Sequence, residues 1–411
     1  MKKILVVLDG ASGLPIDLFK GKTAFEAAET INLDFFATKG KMGYMYPLNE
    51  KIVPGSDDSL VSIFGNSMKV GRGIFEAIGL GMDFRKGNLA LRTNFGTIEN
   101  IKNRKVVDRR AGRTLTSKES KILAKAINKH VKLSCKFEFK SGVQHRGALV
   151  LKGNFSDKIS SSDPEWKHGK GNLFEFSKSL DDKEISEYTA NVINDFLQQS
   201  FRILDNHFIN HRRKHKGLLS ANMLFLRGAE IEIPKLKKYN CWMSINSMPL
   251  EIGIAKISKM KNFGFVYPKL KEIDVYDNLY RGLEKSIKFA IKTIKKQYRN
   301  FEGCYIQLKE TDMPGHDNKP YEKKKMIEII DKKFFSFLRK FVKDKEIRLV
   351  VTCDHSTPCR LKSHSTDPVP VLVYDGKEKD DSQSFCEKQS KMGSLGKIYG
   401  REFMKKTGLD R

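Results

Sequence analysis

The chain has 411 residues, 39% hydrophobic and 30% charged, with 76 Lys and Arg against 49 Asp and Glu for a formal charge of +27. That length is too great for one ordinary core and the apolar share is enough to pack two, so two domains are expected. The positive surface attracts anions, but no RNP-type aromatic motif, C₂H₂ finger or basic low-complexity tail accompanies it; most of the charge reads as solvated surface, and no specific nucleic-acid partner is expected.

In chain order, "MKKILVVLDG" opens with an apolar stretch that ends at Asp9. It is too short for a signal-peptide core and predicts a buried strand over Ile4–Val7. A helix is expected over Ala24–Thr30. In "VPGSDDSLVSIFG" (53–65), Gly55 permits a tight turn and Asp58-Ser59 can cap the helix that follows, so Ser56 falls at or near a helix N-terminus, where backbone amides stabilise an anion. The pattern then changes. Asn88–Gly96, Ser134–Phe139 and Gly147–Leu151 are strand-like and separated by basic loops, 153–172 is a Gly- and Ser-rich polar loop, and Lys183–Leu204 has the periodicity of a long helix. This predicts a smaller α+β domain over 86–234, inserted into an α/β domain made of 1–85 and 235–411. Within the latter, Tyr305–Leu308, Ile347–Thr352 and Val369–Tyr374 are short and apolar, as parallel central strands are, with helices at Asp274–Lys295 and Tyr321–Val342. The cleft between the two domains is the default ligand site.

Nothing approaches 18 consecutive apolar residues, which argues against a membrane span. The six cysteines are scattered without a CxxC pair and read as the reduced thiols of a cytoplasmic protein.

Acidic and imidazole groups recur at the ends of the outer strands: Asp9 after "ILVVL", Asp312 and His316 in "TDMPGHD", Asp354-His355 after "LVVTC", and His364 just before the next strand. In an open α/β sheet such groups can converge outside the carboxyl ends of the strands. Each alone has an ordinary reading as a cap or a satisfied histidine. Together, with three of only nine histidines in the pattern, they point to divalent metal, which offsets their mutual repulsion. A metal nearby would lower the pKa of the Ser56 hydroxyl and make it the candidate nucleophile. "DRRAGR" (108–113), "QHRGALVL" (144–151) and "ANMLFLRGAE" (221–230) place Arg109, Arg110, Arg113, His145, Arg146 and Arg227 near strand ends, as an anion pocket requires. "HFINHRRKHK" spaces His207, His211 and His215 on one helical face, but it carries many cations and no carboxylate, and reads as the exposed basic end of a helix.

The blocks "VVLDG", "PGSD", "GRGIFEAIG", "DRRAGR", "HRGALVL", "LLSANMLFLRGAE", "TDMPGHD" and "DHSTPCRLKSHSTDPVPVLVYDG", in order from residue 6 to 376, resemble the archaeal type of cofactor-independent phosphoglycerate mutase, of the alkaline phosphatase superfamily. The resemblance implies a layered α/β/α domain with an inserted smaller α+β domain. It implies two divalent metals, usually manganese, with magnesium, cobalt or zinc as alternatives, and no 2,3-bisphosphoglycerate. Asp312, His316 and His364 would hold one metal; Asp9, Ser56, Asp354 and His355 would hold the other. Ser56 would accept the phosphoryl group of a small phosphorylated acid, 3-phosphoglycerate, and the arginines would retain glycerate. The chain departs from the family pattern at Ile252, where a lysine near the phosphate is usual, and at Glu230, which replaces glycine and adds negative charge near Arg227. A related phosphatase, another phosphomutase or a homoserine-kinase-like phosphotransferase would use the same metal set. A polyanion-binding protein would not. Oligomeric state is not indicated.

Overall fold

The computed structural model describes residues 1–67, 70–164, 173–268, 275–343 and 345–410. Two sheets organise the chain. The strands in order are β1 (Lys2–Leu8), β2 (Lys41–Tyr46), β3 (Leu89–Ile98), β4 (Val106–Asp108), β5 (Lys136–Ser141), β6 (Arg146–Lys152), β7 (Met223–Glu230), β8 (Trp242–Ile245), β9 (Lys261–Phe263), β10 (Gly303–Leu308), β11 (Ile347–Thr352), β12 (Val369–Tyr374) and β13 (Gly396–Tyr399). The larger sheet runs β13-β2-β12-β11-β1-β10-β8-β9, and the smaller joins β3 to β7 in antiparallel pairs around β3. Each has its own hydrophobic cluster.

The middle of the larger sheet is apolar because helices cover both its faces: Ile4 to Leu8 are at most 2% exposed, and β1 pairs in parallel with both β10 and β11. One expectation is corrected here. β12 lies antiparallel to β11 and to β2, so it alone runs against the other strands of that sheet. A buried apolar run has the same composition in either direction, and here the chain folds straight back after β11. The N-terminal end of β12 therefore sits at the carboxyl edge of its neighbours.

Other boundaries moved for local reasons. The first helix stops at Ala27 because Ala28 is extended, and a second starts at Ile31. The helix expected over Tyr321–Val342 is helical throughout, but passes through a π turn at Asp331–Phe335. The helix Val275–Gln297 matches expectation from its first described residue; position 274, like 165–172 of the polar loop, lies outside the described residues. "HFINHRRKHK" forms a helix of its own, Phe208–His215, and it is not wholly exposed, since Ile209, Asn210 and Arg213 are buried; its start is capped by His207 Nδ1 accepting from the Ile209 amide.

Two short helices join the sheets. Arg72–Gly79 packs on β3 and against Pro249–Ile257. Their backbones touch: a Cβ on Gly253 would lie 2.0 Å from the Phe75 carbonyl oxygen. That approach carries Glu251 inward to Lys309 at the end of β10 (2.9 Å). In the smaller sheet, Ala90 near the start of β3 lies opposite Glu230 at the end of β7, so the excursion leaves and returns at neighbouring positions.

Candidate metal centre and the arginine wall opposite

Five separated segments meet at the carboxyl edge of the larger sheet. Asp9 follows β1, with its amide donating to Leu308 O. Asp312 and His316 are one helical turn apart on the short helix Asp312–His316, so their side chains share a face. Asp354 and His355 follow β11. His364 precedes β12, and only the reversal of that strand brings it to this edge. Gly10 adopts φ +56°, and a Cβ there would lie 2.5 Å from Asp312 Oδ1, so the turn after β1 needs glycine.

The three imidazoles are oriented alike. His316 Nδ1 contacts Lys362 O at 3.1 Å, His364 Nδ1 contacts Pro54 O at 2.8 Å, and His355 Nδ1 contacts Thr357 Oγ1 at 3.1 Å. Thr357 donates its hydroxyl proton to Asp312 Oδ1 at 2.8 Å, so it accepts from His355. Each Nε2 is thereby left to face the carboxylates: His316 to Asp312 Oδ2 at 3.3 Å, His364 to Asp312 Oδ1 at 3.6 Å, His355 to Asp9 Oδ1 at 3.3 Å. Holding Nδ1 so that Nε2 is presented is the usual support of metal-ligating histidine. The His355 and His364 rings stack at 3.6 Å between centroids.

Two groups have ligand atoms close enough to share an ion: Asp312, His316 and His364; and Asp9, Asp312 and His355. Asp312 thus belongs to both, where the resemblance assigned it to one. Asp354 stands beside the second group, 3.5 Å from His355 Nε2, but its Oδ1 accepts from the Gly10 and His355 amides and its Oδ2 from Gln307. Both oxygens of Asp9 are buried: Oδ2 pairs with the Lys309 ammonium, and Oδ1 faces His355 Nε2. Buried carboxylate oxygens facing convergent Nε2 atoms fit divalent cations. Burial raises the Asp9 pKa, but Lys309 and His355 outweigh it and the net shift is downward. For Asp312 burial is likewise outweighed, by His316 and His364, and its pKa is lowered well below normal. Asp354, buried beside Asp9, is raised.

Ser56 opens the helix Ser56–Ile63, with Gly55 as its N-cap; Asp58 and Ser59 lie inside the helix rather than capping it. Ser56 is 7% exposed, and its Oγ lies 3.1 Å from His355 Nε2.

Across from this edge the smaller sheet presents cations. The Arg110 guanidinium forms no ion pair among the described residues, though its amide donates to Asp108, and burial beside Arg113, Arg146 and Arg109 lowers its pKa to about 10. Burial and Arg146 hold His145 neutral, and its Nδ1 has no partner. Other predicted arginines are committed to protein carboxylates. Arg109 donates to Asp163 at 2.7 Å, Arg227 shares that aspartate at 3.4 Å, and Arg113 reaches Asp317, beside His316, at 2.7 Å. Glu230 accepts from the Gly71 amide at the start of the helix Arg72–Gly79.

Sequence reasoning missed three members. Lys309 touches Asp9 and Glu251, which outweigh its burial and raise its pKa. Arg72 and Arg92 share Glu76, at 3.1 and 3.6 Å. A signal existed for Arg92: it interrupts "LALRTNF", whose neighbours are all buried. For Lys309 it was a lysine directly after an apolar strand and before "ETD".

The family profile described as 2,3-bisphosphoglycerate-independent phosphoglycerate mutase matches residues 37–210. Proteins of that name from Thermococcus kodakarensis and Archaeoglobus fulgidus are 33% and 34% identical, over 98% of this chain and 95% and 96% of theirs. Among solved structures, the PH0037 protein of Pyrococcus horikoshii superposes with a TM-score of 0.74 at 26% identity, covering 99% of this chain and 97% of that one. The cofactor-independent phosphoglycerate mutase of Thermoplasma acidophilum gives 0.61 at 31%, covering 100% and 99%. The chain belongs to the 2,3-bisphosphoglycerate-independent phosphoglycerate mutase family, and that family implies divalent metal use.

Proposed function

We propose that this member of the family interconverts 3-phosphoglycerate and 2-phosphoglycerate through a phosphoserine on Ser56. The observation that carries the reading is the facing pair: a buried serine against His355 and the convergent carboxylates, opposite a wall of partly uncompensated arginines. Two divalent ions, manganese by family resemblance, would be held by Asp312, His316 and His364 and by Asp9, Asp354, His355 and Ser56. When bound, they neutralise phosphate oxygens and favour the ionised serine.

The chain's own residues do the rest. The helix N-terminus at Ser56 points backbone amides at the incoming phosphate. Ionised Ser56 Oγ attacks phosphorus in line; the bond from phosphorus to the C3 oxygen breaks, and that oxygen leaves and takes up one proton, equal to the one Ser56 gave up, to become the C3 hydroxyl of glycerate. Arg110 and Arg146, with neutral His145 as a hydrogen-bonding partner, retain glycerate through its carboxylate while it turns. Its 2-hydroxyl then attacks the phosphoserine, regenerating Ser56. Residues 86–234 act as the lid that keeps water from the phosphoserine, with Arg113 bound to Asp317 as its fastening.

The test is to incubate the manganese-loaded protein with 3-phosphoglycerate alone and follow 2-phosphoglycerate and free phosphate. Isomer without phosphate is expected. Phosphate alone would make the chain a hydrolase, and neither product would reject both readings. Ser56→Ala must abolish both isomer and trapped phosphoprotein.

A further inference from the structure

One cavity, of about 470 Å³, lies beside the metal edge rather than in it. Its volume is that of a small-molecule site. Its outer wall comes from the helix Phe208–His215 and the turn after it, where Arg212, Lys216 and Leu218 line it. Arg212 and Lys216 are exposed, and neither forms an ion pair among the described residues. Arg213 between them is different: it is buried and held by Glu119 and Thr114. The helix therefore turns its bonded arginine inward and leaves two free cations at the cavity mouth.

The inner wall is made by sequence neighbours and partners of the site residues. Met313 follows Asp312, Arg113 is the residue that binds Asp317, and His145 precedes Arg146. His145 is 2% exposed with Nδ1 unpartnered, so a buried hydrogen-bonding atom stands where the cavity meets the arginine wall. We propose that this cavity is an anion vestibule: a small phosphorylated acid is captured on Arg212 and Lys216 and then passes His145 and Met313 to the metal edge, before the lid shuts over it. The inference rests on the substrate reading above and adds the route. Cations on a route lower the barrier in both directions and leave the affinity of the final state nearly untouched, whereas residues that grip bound ligand change affinity.

The experiment uses magnesium-loaded Ser56→Ala protein, which binds without turnover, and phosphorus NMR exchange measurements with 3-phosphoglycerate. In the added double variant Arg212→Ser/Lys216→Ser, association and dissociation rates are expected to fall together, about fivefold at low salt, with Kd unchanged within about twofold. Leu218→Trp, which narrows the mouth without changing charge, slows both rates as well. Lys405→Ser/Lys406→Ser removes two exposed charges elsewhere and leaves the rates as they were. Rates that do not move in the first two variants, or a Kd that rises as association falls, overturn the proposal. Repeating the measurement with inorganic phosphate separates the two readings. Entry of phosphate slowed by the variants, when 3-phosphoglycerate fails to bind or isomerise, rejects the substrate and keeps the vestibule.

Discussion

At the carboxyl edge of the larger sheet, each imidazole has its Nδ1 on a carbonyl or hydroxyl, and Asp354 accepts three hydrogen bonds. On the wall across from it, Arg92 Nη1 and His145 Nδ1 have no partner, and arginines stand close to one another with few carboxylates between them. The edge is organised in advance, and its convergent carboxylates, Asp9 and Asp312, are cationic in demand. The wall is incomplete in the opposite sense and demands an anion. On the proposed reading, metal would finish one region and substrate the other.

The contrast breaks most visibly at Asp312, which serves both ligand groups. Asp312→Asn should remove activity by more than ~10³-fold and weaken divalent binding, read by calorimetry, whereas no arginine variant should alter metal affinity. Arg146→Ala should lower kcat/KM by about 10–100-fold, the worth of a charged hydrogen bond, with metal affinity intact. Thr357→Val keeps every ligand but frees the His355 ring and Asp312 Oδ1. Metal affinity should fall by about tenfold, since orienting partners typically contribute that much. Equal metal affinity in Thr357→Val would show that the edge is not held in place by its hydrogen bonds.

Arg92→Met tests the wall from the side of stability. Burial and the neighbouring Arg72 and Arg227 lower the Arg92 pKa well below normal. An apolar isostere should therefore raise the stability of the ligand-free protein by about 1–2 kcal/mol while lowering kcat/KM; a loss of stability would mean that Glu76 already compensates the charge. The smallest effect is a pH dependence. Burial pushes the Glu310 carboxyl up to about 7, against the hydrogen bonds from Tyr267 and Ser286. The folded state keeps this proton to higher pH than the unfolded chain, so stability falls as pH rises from the ordinary carboxyl range toward 7, and the loss is complete above that. In metal-stripped protein, Glu310→Gln should flatten the decline by on the order of 2 kcal/mol between pH 5 and 8, measured by urea unfolding.

Much of the edge was legible because its acidic and imidazole groups sit at strand ends, where a charged group after an apolar run is conspicuous. β11 and β12 run over the predicted residues. The direction of β12 was not legible, since composition carries no polarity, and yet that direction decides the fate of His364. Placed before a parallel strand, it would lie at the opposite edge. The wall was harder to read. Arg109 and Arg227 look like ligand residues in sequence, but their carboxylate partner, Asp163, lies 54 and 64 positions away from them. Arg92 is concealed inside a strand, and Lys309 is one lysine in a chain rich in them.

Ala90 and Glu230 pair across adjacent strands, so the chain enters and leaves the smaller sheet through a gap one strand spacing wide. An excursion with such closely spaced ends behaves as an exchangeable cassette. It can be lengthened, replaced or traded between relatives without altering the distances between β1, β10 and β11, and hence without disturbing the ligands those strands carry. Evolution of the acceptor can thus proceed on one side of the cleft while the phosphoryl chemistry stays fixed on the other.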